Sequence, residues 1–230
     1  MCWNADISFN TFLFGFFSLC FIYITNTYSK YKTHSFDHPL VYVFMFAVVS
    51  MQLVEYFLWK NIKNKSANRY YSFIAWLIVS IQPLILMLMI QGPLRYILIG
   101  LYLLLPFVLP TPSPLNYLFS IKSSSTLEYH THVGKTGHLV WEWMNSKDPF
   151  KDRVIYTQIA YLFFYILSAI LIQNSLLTLF VLSTLFISIL FYYKDGSFGS
   201  MWCWFVNISM IFVLIHILLI QPFLEYNGLC

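Results

Sequence analysis

Glu55 stands in the run Gln52-Leu-Val-Glu55-Tyr-Phe-Leu-Trp59, within an apolar stretch long enough to form a helix. Gln52, Glu55 and Trp59 recur at spacings of three and four, so they share one helix face. An ionisable group in such a stretch is costly to bury and needs a partner. It could carry a proton, ligate a cation or act as a general base. A plain helix-to-helix hydrogen bond uses the same residues with no function at all. His216 lies deep in the last apolar stretch, where an interhelical hydrogen bond is a simpler reading than ligation. Gln82-Pro83 interrupts another stretch: proline frees a backbone carbonyl, and the glutamine amide can satisfy it. Gln221-Pro222 repeats the dipeptide near the C-terminal end.

A second group of chemically able residues lies outside the apolar stretches. The segment 110–152 carries His130, His132 and Gly137-His138-Leu-Val-Trp141-Glu142-Trp143. A loop of this length in a compact protein is functional or disordered, and its aromatics and histidines argue against disorder. Three chemistries could use these residues. His130, His132 and His138, with Glu55, Cys2 and Cys203, are zinc-type donors; His-x-His is a poor two-ligand spacing on a helix and a better one on a strand. Cys2 or Cys203 could be a nucleophile with His138 as its base, although a buried or lipidated cysteine needs no such role. The rings of Trp141 and Trp202 could pack an apolar ligand whose polar end Glu55 or His138 orients. The four cysteines, Cys2, Cys20, Cys203 and Cys230, are too few and too separated for a disulfide framework.

The elements that must position these residues are apolar helices. The chain is 59% hydrophobic and 10% charged over 230 residues, with a mean hydropathy of +0.69. A soluble domain carries about 25% charged residues, so this chain could not cover a water-facing surface. Spans of about 20 apolar residues cross a bilayer. Candidates fall at 9–28, 39–59, 71–90, 94–109, 153–172, 176–193 and 202–222. They predict an all-α integral membrane protein: one domain, a bundle of about seven transmembrane helices and a long interfacial loop between the fourth and fifth. The fourth span ends in Pro106 and the Pro110-Thr-Pro-Ser-Pro114 run, so a shallow element there would leave six. The runs are apolar on all faces, which excludes the alternating pattern of a membrane barrel. The first span lacks a basic leader and follows Asp6, so it is expected to remain in the mature chain.

Loop charge sets an expected orientation. With seven spans, one set of loops holds ten Lys and Arg, including Lys60, Lys122 and Lys194; the other holds Lys30, Lys32 and Arg95. The positive-inside rule then places the N-terminus in the cytosol and the C-terminus outside. Asn64-Lys65-Ser66 falls on the cytosolic side, where no glycan is added. The basic residues are dispersed, which argues against nucleic acid. The last span has no lysine for a retinal Schiff base, and no potassium filter or nucleotide motif appears.

The opening Met1-Cys2-Trp3-Asn4-Ala5 resembles the Met-Cys-Trp/Phe-Ser/Asn-Ala start of a polytopic membrane family of large DNA viruses with distant bacterial relatives. The Gln52–Glu55 region, Gln82-Pro83, Gly137-His138-Leu-Val-Trp141 and Ser200-Met-Trp202-Cys203-Trp204 are similar to that family's signature points. Asn4 stands where Ser is commoner, which weakens any role for a hydroxyl there. The resemblance implies the membrane class and these positions; it carries no activity.

The leading expectation is non-enzymatic. A cytosol-facing cavity lined by Gln52, Glu55, Trp59 and Gln82, closed by His138, Trp141 and Trp202, would bind a lipid-like or small polar ligand or pass an ion, with His216 as a further ligand candidate. The alternative is a membrane-embedded hydrolase or acyltransferase using His138, Glu55 and Cys2 or Cys203. A structural scaffold is the third. No cofactor is implied beyond zinc at the histidines. The expected partners are membrane lipids and the ligand, with self-association left open.

Overall fold

The computed structural model describes residues 4–108, 129–144 and 154–227. Cys2, Cys230, the proline run and much of the 110–152 loop lie outside the described residues. The helices are α1 (Ala5–Tyr28), α2 (Pro39–Lys60), α3 (Lys65–Met89), α4 (Leu94–Val108), α5 (Val154–Leu171), α6 (Ser175–Tyr192) and α7 (Phe198–Ile215). A π-helical segment, His216–Ile220, joins α7 to α8 (Gln221–Tyr226). Strands β1 (Thr131–Val133) and β2 (Leu139–Trp141) pair antiparallel. The helical membrane class therefore holds, and the long loop between α4 and α5 contains a hairpin.

Side-chain caps explain why several helices start before their apolar stretches. Asn4 Oδ1 accepts from the Ile7 N–H at 3.0 Å, so α1 begins at Ala5 rather than at residue 9. Asn64 Oδ1 accepts from Ala67 N–H at 3.2 Å and starts α3 at Lys65, six residues ahead of the apolar run. Asn174 caps α6 in the same way, through Leu177 N–H at 3.1 Å. A capping oxygen satisfies a backbone donor that has no partner within the helix, which is worth about 1 kcal/mol. Asn and Ser both serve this role, so Asn4 keeps it.

Five helices are long and apolar enough to cross a membrane: α1, α2, α3, α6 and the continuous helix Phe198–Tyr226. The apolar parts of α4 and α5, Leu94–Leu105 and Tyr156–Leu171, are shorter. At 1.5 Å per residue the 15 residues of α4 span about 22 Å, less than a hydrocarbon core of about 30 Å. The two Gln-Pro pairs are accommodated differently. Pro83 sits inside α3, and Tyr102 of α4 donates to the nearby Ser80 carbonyl at 2.8 Å. Before Pro222, the Gln221 N–H reaches back five residues to His216 O, so the helix widens into a π turn and continues.

Helix α2 is the hub. It packs against α1, α3 and α7, and buries Phe44, Met51 and Leu58 completely. The outside is apolar too: Phe17, Phe186, Phe191 and Leu219 are each more than 60% exposed. Water would penalise such a surface and lipid does not. Where α1 packs against α2 and α7, a Cβ on Gly15 would sit 2.2 Å from Asn207 Oδ1 and 2.9 Å from Val49. Only glycine fits there. At the far end of the bundle, Lys30 pairs with Glu225, and Gln221 Nε2 donates to Lys32 O at 2.7 Å, tying the end of α8 to the α1–α2 loop.

Candidate functional site

The hairpin is fixed at one end of the bundle by polar contacts from two helices and a turn. Asn68 and Ser72 of α3 hold Thr131, with Ser72 Oγ 2.7 Å from Thr131 Oγ1. Asp195, between α6 and α7, accepts from Lys135 N–H at 3.1 Å and from the Thr136 hydroxyl. Gln158 of α5 donates to Met144 O. The turn at 134–137 closes with Gly137 at φ +81° and a Gly137 N–H bond to Gly134 O at 3.1 Å. A Cβ on Gly134 would lie 2.7 Å from Asp195 Oδ2, so the close seat of the turn depends on glycine. Trp141 stacks on Trp143 with centroids 5.1 Å apart, and its ring presses on Gly199, where a Cβ would come within 2.8 Å.

This docking carries His138 inward. The residue is 7% exposed, and its ring meets the edge of Tyr192 at 5.2 Å. Burial lowers its pKa below the ordinary 6.5, against an opposing pull from Asp195. Asp195 lies below its usual range: burial pushes it up, but hydrogen bonds from Thr136, Ser197 and the backbone of Thr136 and Lys135 outweigh that.

Beneath the hairpin is a small cavity faced by His138, Glu55 and Trp59, by Ser8 of α1, and by Ser200 and Trp204 of α7, with Leu139 and Met201 completing it. It has room for about one water. Glu55 is 4% exposed and Gln52 1%. Gln52 Nε2 donates to Glu55 Oε2 at 3.2 Å, one turn apart on α2 as the spacing predicts, and the Ser200 hydroxyl approaches the same carboxyl. Glu55 Oε1 and Gln52 Oε1 lack a well-formed hydrogen bond among the described residues.

Beside this cavity an open groove of about 330 Å³ runs between α1 and α7. Ile7, Asn10, Thr11 and Phe14 form one wall; Trp204, Asn207, Ile208 and Ile211 form the other. Trp204 therefore borders both spaces.

The other candidates fall elsewhere. Trp202 turns toward α5 and α6, donating from Nε1 to Thr184 Oγ1 at 3.2 Å and meeting Tyr165 at 4.6 Å. Trp141 is buried in the hairpin seat rather than lining the cavity. Gln82 is buried in α3 with Nε2 unpartnered among the described residues, so it does not satisfy the carbonyl that Pro83 frees. Cys203 is a buried free thiol that does not line the cavity. His216 belongs to the opposite end, stacked on Phe212 in a cleft of about 380 Å³ with Lys32, His34 and Gln221. His130 and His132 converge with Glu142 on the outer side of the hairpin, while His138 goes to the cavity.

Ser8 is the member that the sequence did not suggest, and Ser200 and Trp204 entered only as part of a family resemblance, not as cavity residues. One signal was available for the last two: Ser200 and Trp204 are four apart and share a face of α7, whereas Trp202 is turned to the other side. Comparison with protein-family models, with curated proteins and with solved structures returned no match.

Proposed function

We propose that the protein holds a lipid-like molecule, its chain in the α1–α7 groove and its polar end at the Glu55–His138 cavity. The observation that carries this reading is the position of Trp204, which is a wall of both spaces. A groove of about 330 Å³ is at the small end of ordinary ligand sites, which span about 300–1,000 Å³. Its walls are helix faces that look outward from the bundle, where Ile208 and Ile211 are exposed. A ligand there enters sideways from the bilayer. The loop charges favour placing the hairpin end in the cytosol, so the ligand comes from the inner leaflet.

The test is photocrosslinking in proteoliposomes with a fatty acid bearing a diazirine near its chain end. Adducts concentrated on peptides of α1 and α7 around Thr11 and Ile208, and lost in Thr11→Phe, are the expected result. Adducts spread evenly over α5 and α6 as well would make the groove ordinary lipid-facing surface and overturn the reading.

One observation favours a second reading, hydrolysis. A carboxyl, an imidazole and two serine hydroxyls surround a space that one water fills. His138, with its lowered pKa, would be the neutral base near pH 7, and Ser8 or Ser200 the nucleophile. A fluorophosphonate probe that labels one of these serines, and fails to label when His138 becomes Ala, would make the site an enzyme's.

A further inference from the structure

We propose that the outer side of the β1–β2 hairpin binds one divalent transition-metal ion of the zinc class through His130, His132 and Glu142. The argument is independent of the lipid reading, because none of the three residues lines the cavity or the groove.

The backbone creates the cluster. His130 and His132 are two residues apart along β1 and its approach, so both side chains leave the same face of the strand. The register pairs His132 with Val140 and Thr131 with Trp141, which puts Glu142 opposite His130. That pairing is fixed by the Glu142 N–H bond to His130 O at 2.9 Å. The strand setting is the one in which His-x-His can act as a pair of ligands. Glu142 then supplies the third from the neighbouring strand.

The distances fit an ion. His130 Nδ1 and His132 Nδ1 lie 3.3 and 3.1 Å from the same oxygen, Glu142 Oε1. All three ligand atoms lie within 4.8 Å of one another. Zinc bonds of about 2.0–2.2 Å in tetrahedral geometry set ligand atoms roughly 3.3–3.5 Å apart. Two edges of the tetrahedron are therefore already near length, and a small side-chain rotation closes the third. Two neutral imidazoles and a carboxylate carry one negative charge, which suits a divalent cation. Their side chains are 32–47% exposed, so an ion enters directly from water. A fourth position remains for water. The ion would clamp β1 to β2 at the end remote from the 134–137 turn, and so steady the strand pair that carries His138.

The competing account is a carboxylate shared by two imidazole N–H donors, with no metal affinity. The two differ in what they need: ligation requires bare Nδ1 atoms and releases protons, so it strengthens with pH. The experiment uses the full chain without a histidine tag, in detergent, stripped with a chelator and titrated with cobalt(II), followed by zinc(II) competition. The expected result is one equivalent of cobalt giving the intense visible absorption of a four-coordinate site, displaced by zinc. His132→Ala and Glu142→Gln should each weaken binding at least tenfold; Glu142→Gln keeps the backbone pair and guards against loss of the fold. His34→Ala, at the other end of the bundle, should leave it unchanged. Absence of saturable binding, or equal binding by a His130→Ala/His132→Ala variant with its hairpin amides still protected, would overturn the proposal.

Discussion

The Asn68 side chain pairs with the backbone of Thr131 as another strand would: Nδ2 donates to Thr131 O at 2.9 Å, and Oδ1 accepts from Thr131 N–H at 2.9 Å. Both residues are completely buried. A membrane helix has no free backbone donors to offer a sheet edge, so an amide side chain does it instead. With Ser72, this residue links α3 to the segment that carries His138, joining the fold to the site.

Removing the amide therefore undocks the hairpin. Asn68→Ala leaves a buried N–H and a buried C=O unpaired, at about 1–3 kcal/mol each. Hydrogen exchange should show the β1–β2 amides losing protection while α2 keeps its own. Unchanged exchange at Thr131 would mean that Ser72 and Asp195 suffice to hold the hairpin.

Gly199 is the floor on which Trp141 rests. An added methyl meets the ring at 2.8–3.0 Å and Met144 Sδ at 3.2 Å, so Gly199→Ala must push the Trp141–Trp143 stack away. Overpacking of this kind costs about 1–3 kcal/mol. The expected outcome is a lower melting temperature with red-shifted tryptophan emission. An unshifted spectrum would show that the stack moves freely.

Much of the site was legible because helices impose a period. The Gln52–Glu55 hydrogen bond and the shared face with Trp59 follow from spacing alone. The same period, applied to α7, would have chosen Trp204 over Trp202. Ser8 gave no signal of its own, since hydroxyls in apolar helices ordinarily bond to the preceding turn, as Ser50 does to Phe46 O. The hairpin was hidden by strands only three residues long, too short for an alternating pattern to register. Its turn, Gly134-Lys-Thr-Gly137, was the visible clue. Its depth was set by Asn68 and Asp195, which lie about 60 residues away along the chain, and no local pattern reports that distance.

Acid should loosen the hairpin in two stages. His138 and Asp195 both have folded-state pKa values below their ordinary 6.5 and 3.8. A group depressed on folding contributes stability that is present above its unfolded pKa and disappears as pH falls through the folded value. The first loss therefore begins below 6.5 and belongs to His138; the second begins below 3.8 and belongs to Asp195. Tryptophan emission followed from neutral to acid pH should show both, with His138→Gln removing the upper stage and Asp195→Asn the lower. Stability that rises on acidification through the upper window would contradict the assignment.

Glu55 and Gln52 are the place where this fold gives up stability for a site. Each keeps one buried oxygen without a well-formed hydrogen bond, beside a space that only one water can fill. An apolar pair of similar volume has no such cost. Replacing buried polar groups together by well-packed hydrophobic residues is often stabilising by about 1–4 kcal/mol, whereas removing one partner leaves the other stranded. Gln52→Leu/Glu55→Met should accordingly melt higher than the parent protein, and Gln52→Leu alone should melt lower. The double variant should at the same time crosslink the diazirine fatty acid more weakly, because the polar end loses Glu55 and keeps only His138 and the serines to hold it, so the groove is occupied for less of the time. Higher stability with crosslinking intact would make the pair helix glue of a replaceable kind. Lower stability in the double variant would mean that the polar pair is itself what holds α2 against α7.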